Sequence, residues 1–157
     1  MSALSGNQKR KMKSASRLYA VQALFQMEQS NVAVDRVRQE FLDFRFGEEQ
    51  IEGEEMIEGD VELFAKLLDE AVSYQAKIDQ MTDRALVAKW PIARIDPTLR
   101  ALFRAAGAEL VAMQTPPKVV IVEYLDVAAA FFPDGKEAKF VNAVLDHMAR
   151  EARPDAF

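Results

Sequence analysis

Hydrophobic residues recur along this chain at intervals of three and four, the period of an α-helix that buries one face. The clearest stripe is Leu99, Leu102, Phe103, Ala106, Leu110 and Met113. Asp96-Pro97 stands directly before it. Asp is a preferred N-cap, and Pro is favoured at the first helical position, where its missing N–H costs nothing. Thr115-Pro116-Pro117 ends that helix and opens the next, whose stripe is Ile121, Tyr124, Leu125, Ala128 and Phe131. A third stripe follows in Phe140, Val141, Val144, Leu145 and Met148, with Asp134 and Glu137 spaced for a capping box. Short connections between three such helices predict an antiparallel bundle.

The first half of the chain reads the same way. Ser14 or Ser16 is placed to cap a helix carrying Leu18, Val21, Leu24 and Phe25, and Ser30-Asn31 ends it. Val34, Val37, Phe41 and Phe44 mark a second helix, stopped by Gly47. Asp60 opens a long one whose stripe is Phe64, Leu67, Ala71, Tyr74 and Ile78. A short helix from Thr82 to Lys89 then stops before Trp90-Pro91. Val119-Val120-Ile121-Val122 has strong β propensity, but no second strand-like segment exists to pair with it, so helix is expected there too. The resulting expectation is an all-α protein of about seven helices in two packed three-helix bundles. The halves span about 14–80 and 82–150 of one domain, 14–150, with a flexible basic tail over 1–13 and a frayed end over 151–157. Trp90 and the Phe residues are core or interface anchors in this scheme.

Composition narrows the class. The chain has 157 residues, half of them hydrophobic by composition (50%), and no Cys. A domain of this size buries roughly 70% of the surface its unfolded chain exposes and needs no disulfide or metal staple. The longest aliphatic run is too short to span a bilayer, so the expected compartment is the cytoplasm, with no membrane partner. Net charge is −5, which argues against indiscriminate nucleic-acid binding. The charge is nevertheless segregated. Lys9, Arg10, Lys11, Lys13 and Arg17 fall in a stretch without acids, while Glu48, Glu49, Glu52, Glu54, Glu55, Glu58 and Asp60 fall in one without bases. That acidic stretch, GEEQIE-GEEMIE-GD, lacks the alternating ligands of a calcium loop and reads as a solvated linker, so no metal site is expected.

Candidate chemistry is sparse. His147 is the single histidine, and its neighbour Asp146 does not face it on a helix. No nucleophile–base pair and no Gly-rich phosphate loop appears. Arg104, Glu109, Glu123 and Asn142 are polar residues set within apolar stripes. A buried carboxylate needs a cation or several donors, so Glu109 and Glu123, with Arg104 in the same bundle, read as structural pairing rather than acid–base catalysis. No catalytic residue and no cofactor is expected. The strongest functional signal is the run Lys9, Arg10, Lys11, Lys13 and Arg17, which suits a phosphate backbone. The plainer reading is a solubilising tail.

The polar residues and their contexts also carry a resemblance. Arg104 to Leu110 (R-x-x-x-x-E-L), Pro116 to Glu123 (P-x-x-V-x-x-x-E), Phe140 to Asp146 (FVNAVLD) and Ala20 to Phe25 (AVQALF) occur in one order. Together they make the chain similar to the NusB family of bacterial transcription antitermination factors. Ala108 and Ala143 stand where that family usually has Tyr and Gly, and Lys136 where it often has an acid. The resemblance implies binding to boxA-type RNA through Lys9, Arg10, Lys11, Lys13 and Arg17. It further implies binding to the ribosomal protein NusE through Phe25 and Phe140, and action within the transcription elongation complex during ribosomal RNA synthesis. The rival readings are a helical adaptor that binds only protein, and a regulatory domain like those preceding some ribosomal RNA methyltransferases.

Overall fold

The computed structural model describes residues 5–44, 59–86 and 91–157; Gly47, Trp90 and most of the acidic hexads lie outside them. The described residues form seven α-helices: α1 Gly6–Ser30, α2 Val34–Phe44, α3 Val61–Ser73, α4 Gln75–Ala85, α5 Pro97–Ala112, α6 Pro117–Phe131 and α7 Ala138–Ala152. Short 3-10 turns at Ile92–Arg94 and Pro154–Ala156 complete them, and no strand occurs among the described residues. The all-α reading therefore holds, including helix through Val119-Val120-Ile121-Val122.

The central element is α5, which packs against α1, α3, α4, α6 and α7. Asp96 caps it as expected, its Oδ1 accepting from the Thr98 N–H at 2.7 Å. From Ala105 to Leu110 every residue is buried. A helix can be enclosed on all sides only if its neighbours approach closely, and Ala105, Ala106, Gly107 and Ala108 leave room for that. At Gly107 a Cβ would overlap Ile78 Cγ2 of α4 and lie 3.2 Å from its Cγ1. Gly107→Ala gains about 0.5–1 kcal/mol of helix propensity but meets an overpacking cost of about 1–3 kcal/mol against a stiff β-branched side chain. The expected net result is a loss of about 1 kcal/mol in urea unfolding. A variant more stable than its parent would show that α4 and α5 have slack at this crossing.

Several boundaries differ from the sequence reading. The basic segment expected to be flexible over 1–13 is helical from Gly6 onward. Ser5 and Gln8 form a capping box, with Ser5 Oγ accepting from the Gln8 N–H at 3.1 Å and Gln8 Oε1 accepting from the Ser5 N–H at 2.7 Å. No Gly or Pro interrupts the segment after Gly6, so a helix already nucleated by its packed part extends through it. At the other end, Asn31 adopts the left-handed conformation (φ 53°) and terminates α1 where Ser30-Asn31 predicts.

The long helix from Asp60 is two. Asp60 does cap α3, accepting from the Leu63 N–H at 3.0 Å. The helix breaks at Tyr74, which is 41% exposed instead of buried. The break shifts the buried face from Phe64, Leu67, Leu68 and Ala71 to Ile78, Met81 and Thr82, which leaves Tyr74 outside both stripes. Thr82 accordingly lies inside α4 and opens no helix; its hydroxyl donates back to the Ile78 carbonyl at 2.8 Å.

The Asp134–Glu137 capping box does not form. Gly135 takes a left-handed turn (φ 73°), and Asp134 is used locally, accepting from the Lys136 N–H at 3.1 Å. The chain end is tied down rather than frayed. Arg153 donates to the carbonyls of Leu110 at 2.7 Å, Thr115 at 3.0 Å and Glu109 at 3.2 Å, and also to that of Met113. It thereby satisfies the carbonyls that the end of α5 leaves without helical partners. Arg150 lies over the Phe157 ring at 4.5 Å.

Candidate nucleic-acid interface

The first helix leaves the bundle at its N-terminal end. Gly6 to Lys11 are exposed, Met12 is the first partly buried residue, and Lys9, Arg10, Lys11 and Lys13 are all exposed. Arg17 pairs with Glu109 near one end of the α1–α5 contact, and Glu28 pairs with Arg100 and Arg104 near the other. The two helices therefore run antiparallel. The projecting turns of α1 pass the end of the bundle where α5 gives way to α6. Two backbone-linked contacts hold them to the start of α3: the Asp60 N–H donates to the Met12 carbonyl at 3.2 Å, and Ser16 Oγ donates to the Asp60 carbonyl at 2.7 Å.

Arg17 does not belong with the other cations. It is 5% exposed, and its guanidinium is bidentate on Glu109, Nε to Oε1 at 2.9 Å and Nη2 to Oε2 at 2.7 Å. Its remaining terminal nitrogen is 3.5 Å from Glu123 Oε2. Tyr124 donates its hydroxyl to Glu109 Oε1 at 3.0 Å, and Ser14 donates to Glu123 Oε2 at 2.9 Å. Burial alone would lower the Arg17 pKa, but the hydrogen bond and charge of Glu109 outweigh it and hold the group above its ordinary value. Burial, reinforced by the Glu109 charge, drives the Tyr124 phenol well above its ordinary value, so it stays a donor. The structure places Arg17 in the core, with Glu109 as its partner. The signal was in the sequence: Arg17 shares its helical phase with Val21 and Leu24, and a cation on an apolar stripe needs a buried carboxylate.

The pairing expected around Arg104 changes accordingly. Glu109 and Glu123 are structural, but their cation is Arg17. Arg104 instead holds Asp79 through Nε and Nη2 at 3.0 and 2.9 Å, and Glu28 through Nη1 at 2.9 Å. Arg100 joins the same cluster through Glu28 and ties in the connecting turn by donating to the Ile92 and Ile95 carbonyls at 2.9 and 3.3 Å. The Arg100 hydrogen bond holds the Glu28 carboxyl below its ordinary pKa. Asn142 is not in the core; it is exposed on α7. His147 is also exposed, and Asp146 pairs with Arg150 at 2.9 Å. Glu28, Asp79 and Tyr124 look like ordinary surface or core sites until the helices are packed, while Ser14 and Ser16, expected as caps, lie inside α1, which Ser5 caps instead, and donate to Glu123 and to the Asp60 carbonyl.

Phe25 and Phe140 are both partly buried against the core. Phe140 meets Phe103 edge-on, with centroids 6.2 Å apart and planes at 70°. Its outer side borders a cleft of about 520 Å³ that also includes Leu99, Arg94, Lys136 and Glu137. Among the described residues no cluster of His, Cys, Asp or Glu is arranged to hold a metal ion, and no helix is long and apolar enough to cross a membrane.

The described residues form an all-α bundle with a projecting cationic helix and two half-buried aromatic rings. Comparison with known proteins places it. The NusB family model matches residues 14–150. The transcription antitermination protein NusB of Granulibacter bethesdensis is 42% identical over 96% of this chain and 95% of its own length. That of Caulobacter vibrioides is 44% identical over 96% of this chain and 99% of its own. The chain belongs to the NusB family. The fold agrees: a T. maritima NusB structure superposes with a TM-score of 0.73 at 24% identity, covering 100% of this chain and 99% of that one. NusB in a crystal structure of NusB and NusE with double-stranded RNA superposes with a TM-score of 0.70 at 24% identity, covering 88% and 96%.

Proposed function

We propose that this protein is a transcription antitermination factor that binds boxA-type RNA together with the ribosomal protein NusE in the transcription elongation complex, supporting ribosomal RNA synthesis. It acts by binding in the bacterial cytoplasm, without catalysis and without a cofactor. The observation that carries this reading is the projecting, ordered helix whose Lys9, Arg10, Lys11 and Lys13 are exposed beyond the bundle. Phosphate contacts from such a helix position RNA but carry little base information. Selectivity then has to come from ordered surfaces beside it and from the partner. Phe25 and Phe140 are the proposed partner contacts; the complex of NusB and NusE with RNA among its structural neighbours supports the combination.

The test is thermodynamic coupling. NusE should tighten binding of boxA-type RNA more than of a scrambled RNA, and by linkage the RNA must tighten NusE binding by the same factor, roughly 5- to 150-fold in typical couplings. Phe25→Ala or Phe140→Ala should weaken NusE binding and leave binding of RNA alone nearly intact, once thermal unfolding shows the fold retained. RNA affinity indifferent to NusE would remove the joint mechanism; RNA binding that never occurs, or that survives loss of the basic residues, would favour the protein-only adaptor.

A further inference from the structure

The buried cluster around Arg17 has a role beyond holding the core. We propose that Ser14, Arg17, Glu109, Glu123 and Tyr124 form a rotational lock on α1 that selects Lys9, Arg10 and Lys13, and not Lys11, as the phosphate-binding face. This rests on the reading of the projecting helix as an RNA site and specifies which side of it works.

Residues four or seven apart lie on one face of a helix. Lys9, Lys13, Arg17 and Val21 are spaced by four, and Arg10, Arg17 and Leu24 by seven. Arg17, Val21 and Leu24 are buried. Lys9, Arg10 and Lys13 therefore point to the same side as the core. They are exposed only because the helix has run past the last layer of the bundle. Their side chains overlook the re-entrant corner between the projecting turns and the bundle end. Lys11 has the opposite phase. It is spaced by seven from Leu18 and by fourteen from Phe25, which lie on the outer, partly buried side of α1. A backbone lying in the corner meets three cations on one face, while Lys11 points towards the side occupied by Phe25.

That assignment holds only if α1 cannot rotate about its axis. Apolar contacts are non-directional and permit small rotations. Charge-assisted, bidentate hydrogen bonds are directional and do not. The Arg17–Glu109 pair, at 2.9 and 2.7 Å and almost fully buried, fixes the phase of the helix in the core. Tyr124 holds Glu109 in orientation at 3.0 Å. The Ser14–Glu123 bond at 2.9 Å, one turn nearer the projection, transmits the phase outward, and the Met12 and Ser16 contacts to Asp60 add a second strut. Each is a positioning contact; none touches RNA.

The experiment measures binding of a single-stranded boxA-type RNA oligonucleotide to the full chain by fluorescence anisotropy over a range of salt concentrations. Lys9→Ala, Arg10→Ala and Lys13→Ala should each weaken binding about threefold or more and flatten the log–log salt slope by up to about 0.7. Lys11→Ala should have the smallest effect, under twofold. Ser14→Ala with Glu123→Gln leaves every cation in place and unlocks the outer strut. In that background affinity should fall about three- to tenfold, and the difference between Lys11→Ala and the other three should shrink. Amide hydrogen exchange at residues 9–13 should rise in the unlocked variant, a change that loss of core stability alone would not confine to those turns. If the outer strut proves too costly to the fold, Tyr124→Phe removes a single hydrogen bond and should move the ranking in the same direction. A Lys11→Ala loss equal to the others in the parent overturns the lock while leaving the RNA reading intact. A quadruple variant that binds RNA as the parent does overturns the RNA reading itself.

Discussion

Glu109→Leu should be among the most damaging single substitutions in this protein. Removing one member of a buried ion pair strands the other, at a cost of about 3–5 kcal/mol. Here the stranded group is the Arg17 guanidinium, which has lost its bidentate partner inside the core, and the Tyr124 hydroxyl loses its acceptor as well. For a chain of this length the loss corresponds to a fall in Tm of roughly 6–20 °C, at about 2–4 °C per kcal/mol. Arg17→Met should cost a comparable amount by stranding Glu109. The double variant, Arg17→Met with Glu109→Leu, should lose much less than the two single losses added together, because the pair is replaced by apolar volume and no charge remains buried. Urea unfolding of the four proteins supplies the cycle. Additive losses would mean that the pair does not act as a unit.

The second large effect concerns binding. Replacing Lys9, Arg10, Lys11 and Lys13 together by Ala should abolish most of the salt dependence of RNA binding while leaving NusE binding without RNA nearly unchanged. With up to about 0.7 in slope per phosphate contact on a single strand, the three contacts of Lys9, Arg10 and Lys13 alone account for a roughly 18-fold loss of affinity between 50 and 200 mM salt. The variant should lose far less over that interval and bind weakly at every RNA sequence. Because these side chains are exposed, the fold should be unaffected, so thermal unfolding within error of the parent is part of the expected result. A quadruple variant that keeps its parent's salt slope would reduce the helix to a solubilising extension.

The contrast between these two sets of cations marks how far the sequence reaches. Periodicity settled the helices around Asp96-Pro97, Pro116-Pro117 and the FVNAVLD segment, because caps, prolines and apolar stripes are local signals that each act within a few residues. It also placed the end of α1 at Asn31, where a left-handed residue was needed. The RNA and partner reading rested on residues whose order along the chain could be recognised directly.

What local pattern did not determine was which polar groups meet. Arg17 sits in a run of cations, and by charge alone it is indistinguishable from Lys13; only the antiparallel packing of α1 on α5 brings it onto Glu109, whose distance in sequence is 92 residues. Arg104 found Glu28 and Asp79 for the same reason. The break at Tyr74 and the role of Arg153 in capping α5 likewise depend on groups brought together by the fold. Pattern along one helix fixes which side is apolar, through the free energy of burying that side. The partner of a buried charge is fixed by desolvation, which acts only once the helices have packed and water has gone, and so it belongs to the tertiary structure.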